Sequence, residues 1–177
     1  MELQSLRALS LILFCLPCWA EVSQKDIDAE KVWDAEQLAA EKTIPALLEG
    51  YGNAIGCSFS FNQSHMVKYK IQKEPVFVAA VGLDAGCSGG SAMGRMLLIT
   101  MKHGAYNKIH VVSELSTPIQ TPSDFPKHLE RLYLENGEIM FSGFVPDWSK
   151  DALCCASQPV KGKVSFTNGR WALSFQQ

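Results

Sequence analysis

Twice in the C-terminal third, Asn-Gly interrupts an apolar-rich stretch: Leu132-Tyr-Leu-Glu-Asn-Gly-Glu-Ile-Met-Phe141 and Val164-Ser-Phe-Thr-Asn-Gly-Arg-Trp-Ala-Leu173. Asn and Gly tolerate the positive φ that both central residues of a type I′ turn require, and that turn matches the twist of paired strands. Two antiparallel hairpins are therefore expected there. Upstream, the runs Cys57 to Phe61, Met66 to Ile71, Val76 to Leu83, Met93 to Met101 and Lys108 to Leu115 are short, apolar and bounded by turn residues. With no helical stretch between them, they too must pair antiparallel. Polar, Pro-containing loops are expected over Ser116 to Pro126 and Pro146 to Ala152.

The N-terminal part reads differently. Ser23 to Lys42 contains neither Gly nor Pro and is dominated by Ala, Glu, Lys, Gln and Leu, with Asp26 three residues after Ser23 as a cap-like start. A helix is predicted, its apolar arc formed by Ala29, Val32, Trp33, Ala39 and Ala40. A short second helical turn through Pro45 to Glu49 should end at Gly50-Tyr-Gly-Asn. The fold class that follows is α+β: an N-terminal helix packed on a curved, mostly antiparallel, disulfide-braced sheet of seven to nine strands.

Ahead of that helix, Arg7 precedes the apolar run Ala8 to Leu16, followed by Pro17-Cys-Trp-Ala20. The run is too short for a helix to span a bilayer core of about 30 Å. With a small residue at Ala20, it reads as a secretory signal peptide over 1–20, cleaved before Glu21. Residues 21–177 are then expected as one exported domain, periplasmic or secreted, helical over 21–50 and β-rich over 54–177. No later run has transmembrane length, so no integral membrane segment is expected after cleavage. The alternative of a lipid anchor on Cys15 or Cys18 lacks a small residue at the preceding position, which Phe14 or Pro17 occupies.

Four cysteines remain beyond residue 20: Cys57, Cys87, Cys154 and Cys155. An even count in an exported chain implies disulfides. Joining the adjacent Cys154 and Cys155 would distort the peptide between them. The expectation is therefore that Cys57 and Cys87 each bond to one member of the Cys154-Cys155 pair, leaving open which takes which. No Cys-x-x-Cys is present among these four, so a redox or zinc role is not favoured.

Charge narrows the partners. The chain carries a formal net charge of -2, which gives no basic field for nucleic acid, and no nucleic-acid partner is expected. Residues 21–50 hold three lysines against eight acidic residues, so the remainder is mildly basic. A solvated acidic helix beside a basic sheet is the ordinary meaning of such a split.

Candidate chemistry is sparse. Gly86-Cys-Ser-Gly-Gly90 satisfies G-x-S-x-G, but a nucleophile elbow needs a helix after the serine, and a strand is predicted there. A small serine hydrolase using Ser88 with His103 or His110 as base is the alternative reading of this loop; a glycine-rich hairpin loop is the plainer one. His103 and His110 flank Gly-Ala-Tyr-Asn-Lys-Ile, and a tight turn there would let the two imidazoles face each other as zinc ligands do. No third ligand is apparent, so no metal and no cofactor is expected. Asp84, Glu114, Asp147 and Asp151 offer carboxylates, but nothing in their spacing selects a catalytic pair. The stronger signal is aromatic. Phe141, Phe144 and Trp148 run into a loop just before the cysteine pair, and a braced loop carrying Trp is how a binding module presents an anchor. Phe144, Asp147 and Trp148 are the candidate binding residues.

The C-terminal third, Leu132 to Phe144, Cys154-Cys-Ala-Ser157 and Val164 to Leu173, resembles an element of small exported bacterial proteins of undefined function. That element consists of a strand, an Asn-Gly hairpin, a Cys-Cys-Pro-Ser-like segment and a final hairpin. Ala156 stands here where proline is expected, and the resemblance implies an exported β-rich domain with no catalytic residue. Together these readings predict a non-enzymatic binding domain that contacts another envelope or secreted macromolecule. An inhibitor or immunity-type protein is one concrete form of it.

Overall fold

A computed structural model describes residues 32, 35–84, 87, 95–116, 125–151 and 155–176. The chain divides into two units, Met1–Asp34 and Ala35–Gln177, and the fold below is that of the second. Its layers are a helix, a four-stranded sheet and a second four-stranded sheet. Residues 35–41 are helical, and the Thr43 N–H and hydroxyl both donate to the Ala40 carbonyl before helix α1 begins at Ile44–Ile55. The strands are β1 (Phe59–Ile71), β2 (Glu74–Leu83), β3 (Arg95–His103), β4 (Ile109–Val111), β5 (His128–Glu135), β6 (Glu138–Val145), β7 (Gln158–Thr167) and β8 (Arg170–Phe175). Neighbours pair in chain order and antiparallel, β1-β2-β3-β4 in one sheet and β5-β6-β7-β8 in the other.

Strand β2 shows why three layers form. Its run Val76 to Val81 is buried on both sides. Val76, Val78 and Ala80 face the second sheet, meeting Leu132, Ile139, Phe141, Val164 and Trp171. Phe77, Ala79 and Val81 face the other way and, with Ile99, Met101 and Ile109, receive Ile44 and Leu48 of α1. A strand buried on both faces reads as continuous hydrophobicity rather than alternation. Each large side chain removed from water there contributes about 1.5–3 kcal/mol.

Three expectations change. The eight strands among the described residues fall within the anticipated number, but they form two sheets rather than one. Bulges in β1 between Phe61 and Met66, and in β5 between Leu129 and Arg131, break regular pairing where these edge strands approach. The Ser64 hydroxyl donates to the Glu130 carbonyl at this seam. The helix packed on the sheet is α1, and it runs through Gly50-Tyr-Gly-Asn instead of stopping there. Ile44, Leu48 and Gly52, four residues apart, lie on its buried side, and a Cβ at Gly52 would run into the Phe59 ring. Of the helix predicted over Ser23 to Lys42, only the end lies within the described residues.

The third change concerns the cysteines. Cys57 bonds to Cys87, with Cα atoms 5.0 Å apart, so neither reaches the tail. Hairpin register decides this. Beyond the Phe59–Leu83 pair, the Cys57 N–H donates to the Asp84 carbonyl and the Asp84 N–H to the Ser58 carbonyl, which brings the two ends together. Cys155 is exposed, and Cys154 lies outside the described residues.

A polar staple ties the ends of both sheets. Thr100 is fully buried in β3; its N–H donates to the Ser116 hydroxyl and its own hydroxyl to the Leu115 carbonyl. The Ser116 hydroxyl donates in turn to the Val112 carbonyl, and the Trp171 indole N–H reaches the Leu115 carbonyl at 3.1 Å.

Candidate functional site

Residues 146–157 connect β6 to β7, beyond the last register pair Val145–Gln158. The first turn of this loop is built by two aspartates. The Asp147 carbonyl accepts the N–H of Lys150 and of Asp151, a single helical turn that goes no further. One oxygen of the Asp147 carboxylate accepts the N–H and the hydroxyl of Ser149, at 3.1 and 2.6 Å, and the other pairs with the Lys150 ammonium at 3.2 Å. From the far side, Asp151 Oδ2 accepts the Asp147 N–H and the Ser157 N–H, each at 2.8 Å. Asp151 thus bridges the start of the loop to its end.

Trp148 sits between these anchors with 73% of its surface exposed. Phe144, half-buried near the end of β6, lies between His128 and Pro159 of the neighbouring strands. A groove of about 640 Å³ adjoins the loop stems and is lined by Val145, Gln158, Lys161 and the exposed Phe175.

Both aspartates are held below their ordinary value of 3.8. For Asp147 the main cause is the Ser149 hydroxyl, followed by the Ser149 N–H and Lys150; for Asp151 it is the Asp147 N–H, with Ser157 adding to it. A depressed carboxylate stabilises the loop above the unfolded value, and that contribution is lost as pH falls through the folded one. Amide protection at Asp147 and Ser157 should therefore hold at neutral pH and be lost as acidification takes the two carboxylates through their folded-state values, which lie below the ordinary 3.8, read by exchange-detected NMR. Protection unchanged across this window would show that the carboxylates do not hold the turn.

Asp147 and Trp148 thus belong to one loop, in which Asp147 shapes the turn and Trp148 projects, whereas Phe144 stands in β6 just before it. Asp151, one of the carboxylates the sequence offers, is a loop anchor by its hydrogen bonds. The short-range signal in this loop is Asp-x-Ser at 147–149 and marks Asp147, whose side chain accepts from the backbone two residues on. Glu114 is exposed in a 3-10 turn and Asp84 is buried at the end of β2.

Ser88 lies outside the described residues, and of Gly86 to Gly90 only Cys87 is described, with φ of 52°. His103 pairs with Ile109, whereas His110 pairs with Lys102. That one-step offset sends the two imidazoles to opposite faces of the sheet, so they cannot face each other. His103 packs on Phe77 at 5.6 Å, while His110 is exposed. Among the described residues no three His, Cys, Asp or Glu side chains gather as metal ligands would.

The chain matches no family model, and no similar curated protein or solved structure is found.

Proposed function

We propose that this protein is an exported, non-enzymatic binding domain whose β6–β7 loop docks on another envelope or secreted macromolecule. One observation carries this reading: a tryptophan exposed over most of its surface at the tip of a turn braced by two aspartates. An exposed indole has no folding role to account for it, and a turn already held in place loses little entropy on binding. Phe175 lines the groove that adjoins the loop stems at Val145 and Gln158. The Cys57–Cys87 disulfide is compatible with an oxidising compartment, periplasmic or extracellular. No helix among the described residues is long and apolar enough to cross a membrane. The resemblance of the C-terminal third to small exported bacterial proteins points the same way. In its concrete form the domain is an inhibitor or immunity-type protein that inserts the Trp148 loop into a partner's cleft.

The test is affinity capture of the partner from a cell-envelope extract, followed by titration of the purified partner with wild type and Trp148→Ala. An aromatic anchor contributes about 2 kcal/mol or more, so roughly thirtyfold weaker binding is expected. Equal dissociation constants would remove the loop from the interface.

A further inference from the structure

A sheet edge invites another strand unless something guards it. Strand β4, at one edge of the first sheet, is only three residues long, and β1 and β5 each carry a bulge where they approach one another. Strand β8, at the outer edge of the second sheet, has no such guard. Arg170–Phe175 pairs with β7 in unbroken register and contains no proline, no lysine and no acidic residue. Register also tells which of its backbone groups are already used. Thr167 and Arg170 flank a two-residue turn and so form a hydrogen-bonded pair, and at the other end the Gln176 N–H donates to the Lys161 carbonyl. Such pairs alternate along an antiparallel ladder, which turns the N–H and C=O of Arg170, Ala172 and Ser174 toward β7 and those of Trp171, Leu173 and Phe175 away from it. Among the described residues no strand lies beside these outward groups.

The side chains of the same three residues lie on the inner face. Trp171 and Leu173 belong to the inter-sheet core, and Phe175 meets the Phe141 ring edge-on while 41% of its surface stays exposed. Ala172 and Ser174 are exposed on the opposite face. We infer that β8 is the contact between two copies of this chain, joined antiparallel about a two-fold axis at Leu173 so that their second sheets become one. In that register β8 is complementary to itself. Leu173 faces the partner's Leu173, Trp171 faces the partner's Phe175, and each opposed pair exchanges the N–H and C=O groups that β7 does not take. The half-exposed Phe175 ring gains a cross-strand aromatic neighbour. Ala172 stands opposite the partner's Ser174 and Arg170 opposite the partner's Gln176, so no like charges meet. A slip of one residue would set outward groups of one copy against groups already bonded to β7 in the other, which selects this pairing.

The experiment is analytical ultracentrifugation of the purified oxidised protein over a concentration series, with hydrogen exchange followed by NMR on the same samples. A reversible monomer–dimer equilibrium is expected, and the dimer should run as a monomer on a non-reducing denaturing gel because no disulfide joins the copies. The amides of Trp171, Leu173 and Phe175 should exchange more slowly as concentration rises, whereas those of Ala172 and Ser174, bonded to β7, should be protected throughout. The double variant Ala172→Lys, Ser174→Lys places lysines opposite one another across the axis, on a face outside the core, and should weaken the dimer by about tenfold or more. Ala172→Lys with Ser174→Glu sets opposite charges at the same two positions and should restore the dimer to near wild-type strength. A monomer at every concentration, a dimer that survives the denaturing gel, a dimer unchanged by the two lysines, or a charge-swapped variant as weak as the double-lysine one would each overturn the assignment.

Discussion

Replacing Phe141 by alanine is expected to lower the unfolding free energy by about 3–5 kcal/mol, the cost of emptying a buried aromatic site that cannot collapse fully. Phe141 is wholly buried in β6, between Leu132 of β5 and Gly162 of β7. Its ring meets Phe125 at 5.7 Å and, edge-on, Phe175 at 5.8 Å. Gly162 has no side chain because the ring occupies that space: a Cβ there would run into Phe141 and into the Ser174 carbonyl. Glycine weakens a strand, and covering it with a cross-strand aromatic ring offsets part of that loss. Gly162→Ala should therefore destabilise the wild type and cost less in a Phe141→Ala background, a coupling measurable by a double-mutant cycle in urea. For a domain whose whole stability is of order 5–15 kcal/mol, the single Phe141 change removes a large share. A loss below about 1 kcal/mol would mean that the inter-sheet core does not centre on this ring.

Residues that act through local backbone chemistry were legible. Asn136 and Gly137 have φ of 52° and 79°, and Asn168 and Gly169 of 53° and 77°, so both Asn-Gly hairpins turn as their residue types require. The β1–β2 hairpin is closed instead by Gln72 and Lys73, at φ of 51° and 75°. Neither residue advertises a left-handed conformation, and the join between two apolar runs carried no turn signal of the usual kind. Likewise Gly50 and Gly52 looked like a helix stop because propensity is local, whereas the demand for a bare surface against Phe59 comes from a strand that folds onto the helix.

The candidate site divides along the same line. An aromatic run into a Pro-containing loop points to Trp148 and, beside it, Asp147. The reach of Asp151 to Ser157 depends on register across β6 and β7, which places residues 147, 151 and 157 together. Register also separates His103 from His110. A shift of one residue moves a side chain to the opposite face, and composition carries no record of it.

The cysteine pairing is the point where elimination among sequence alternatives gave one answer and strand pairing another, and removing the bond distinguishes them. The Cys57–Cys87 bridge closes a loop with a sequence separation of 30 residues. Constraint of the unfolded chain by a loop of that size contributes about 3.6 kcal/mol on the entropic account. The bridge clamps the open end of the β1–β2 hairpin, whose strand β2 lies in both cores, so its loss is felt on both faces of the first sheet. Cys57→Ser with Cys87→Ser is expected to lower the urea midpoint by an amount equivalent to about 3 kcal/mol. Cys155→Ser should leave the bridge in place, because Cys155 takes no part in it. Peptide mapping of the oxidised protein should then recover one peptide pair joining Cys57 to Cys87, in wild type and in Cys155→Ser alike. Recovery of Cys57 or Cys87 linked to the Cys154-Cys155 pair would restore the tail-to-strand connection, and the loop presenting Trp148 would then be held by covalent bonds as well as by its two aspartates.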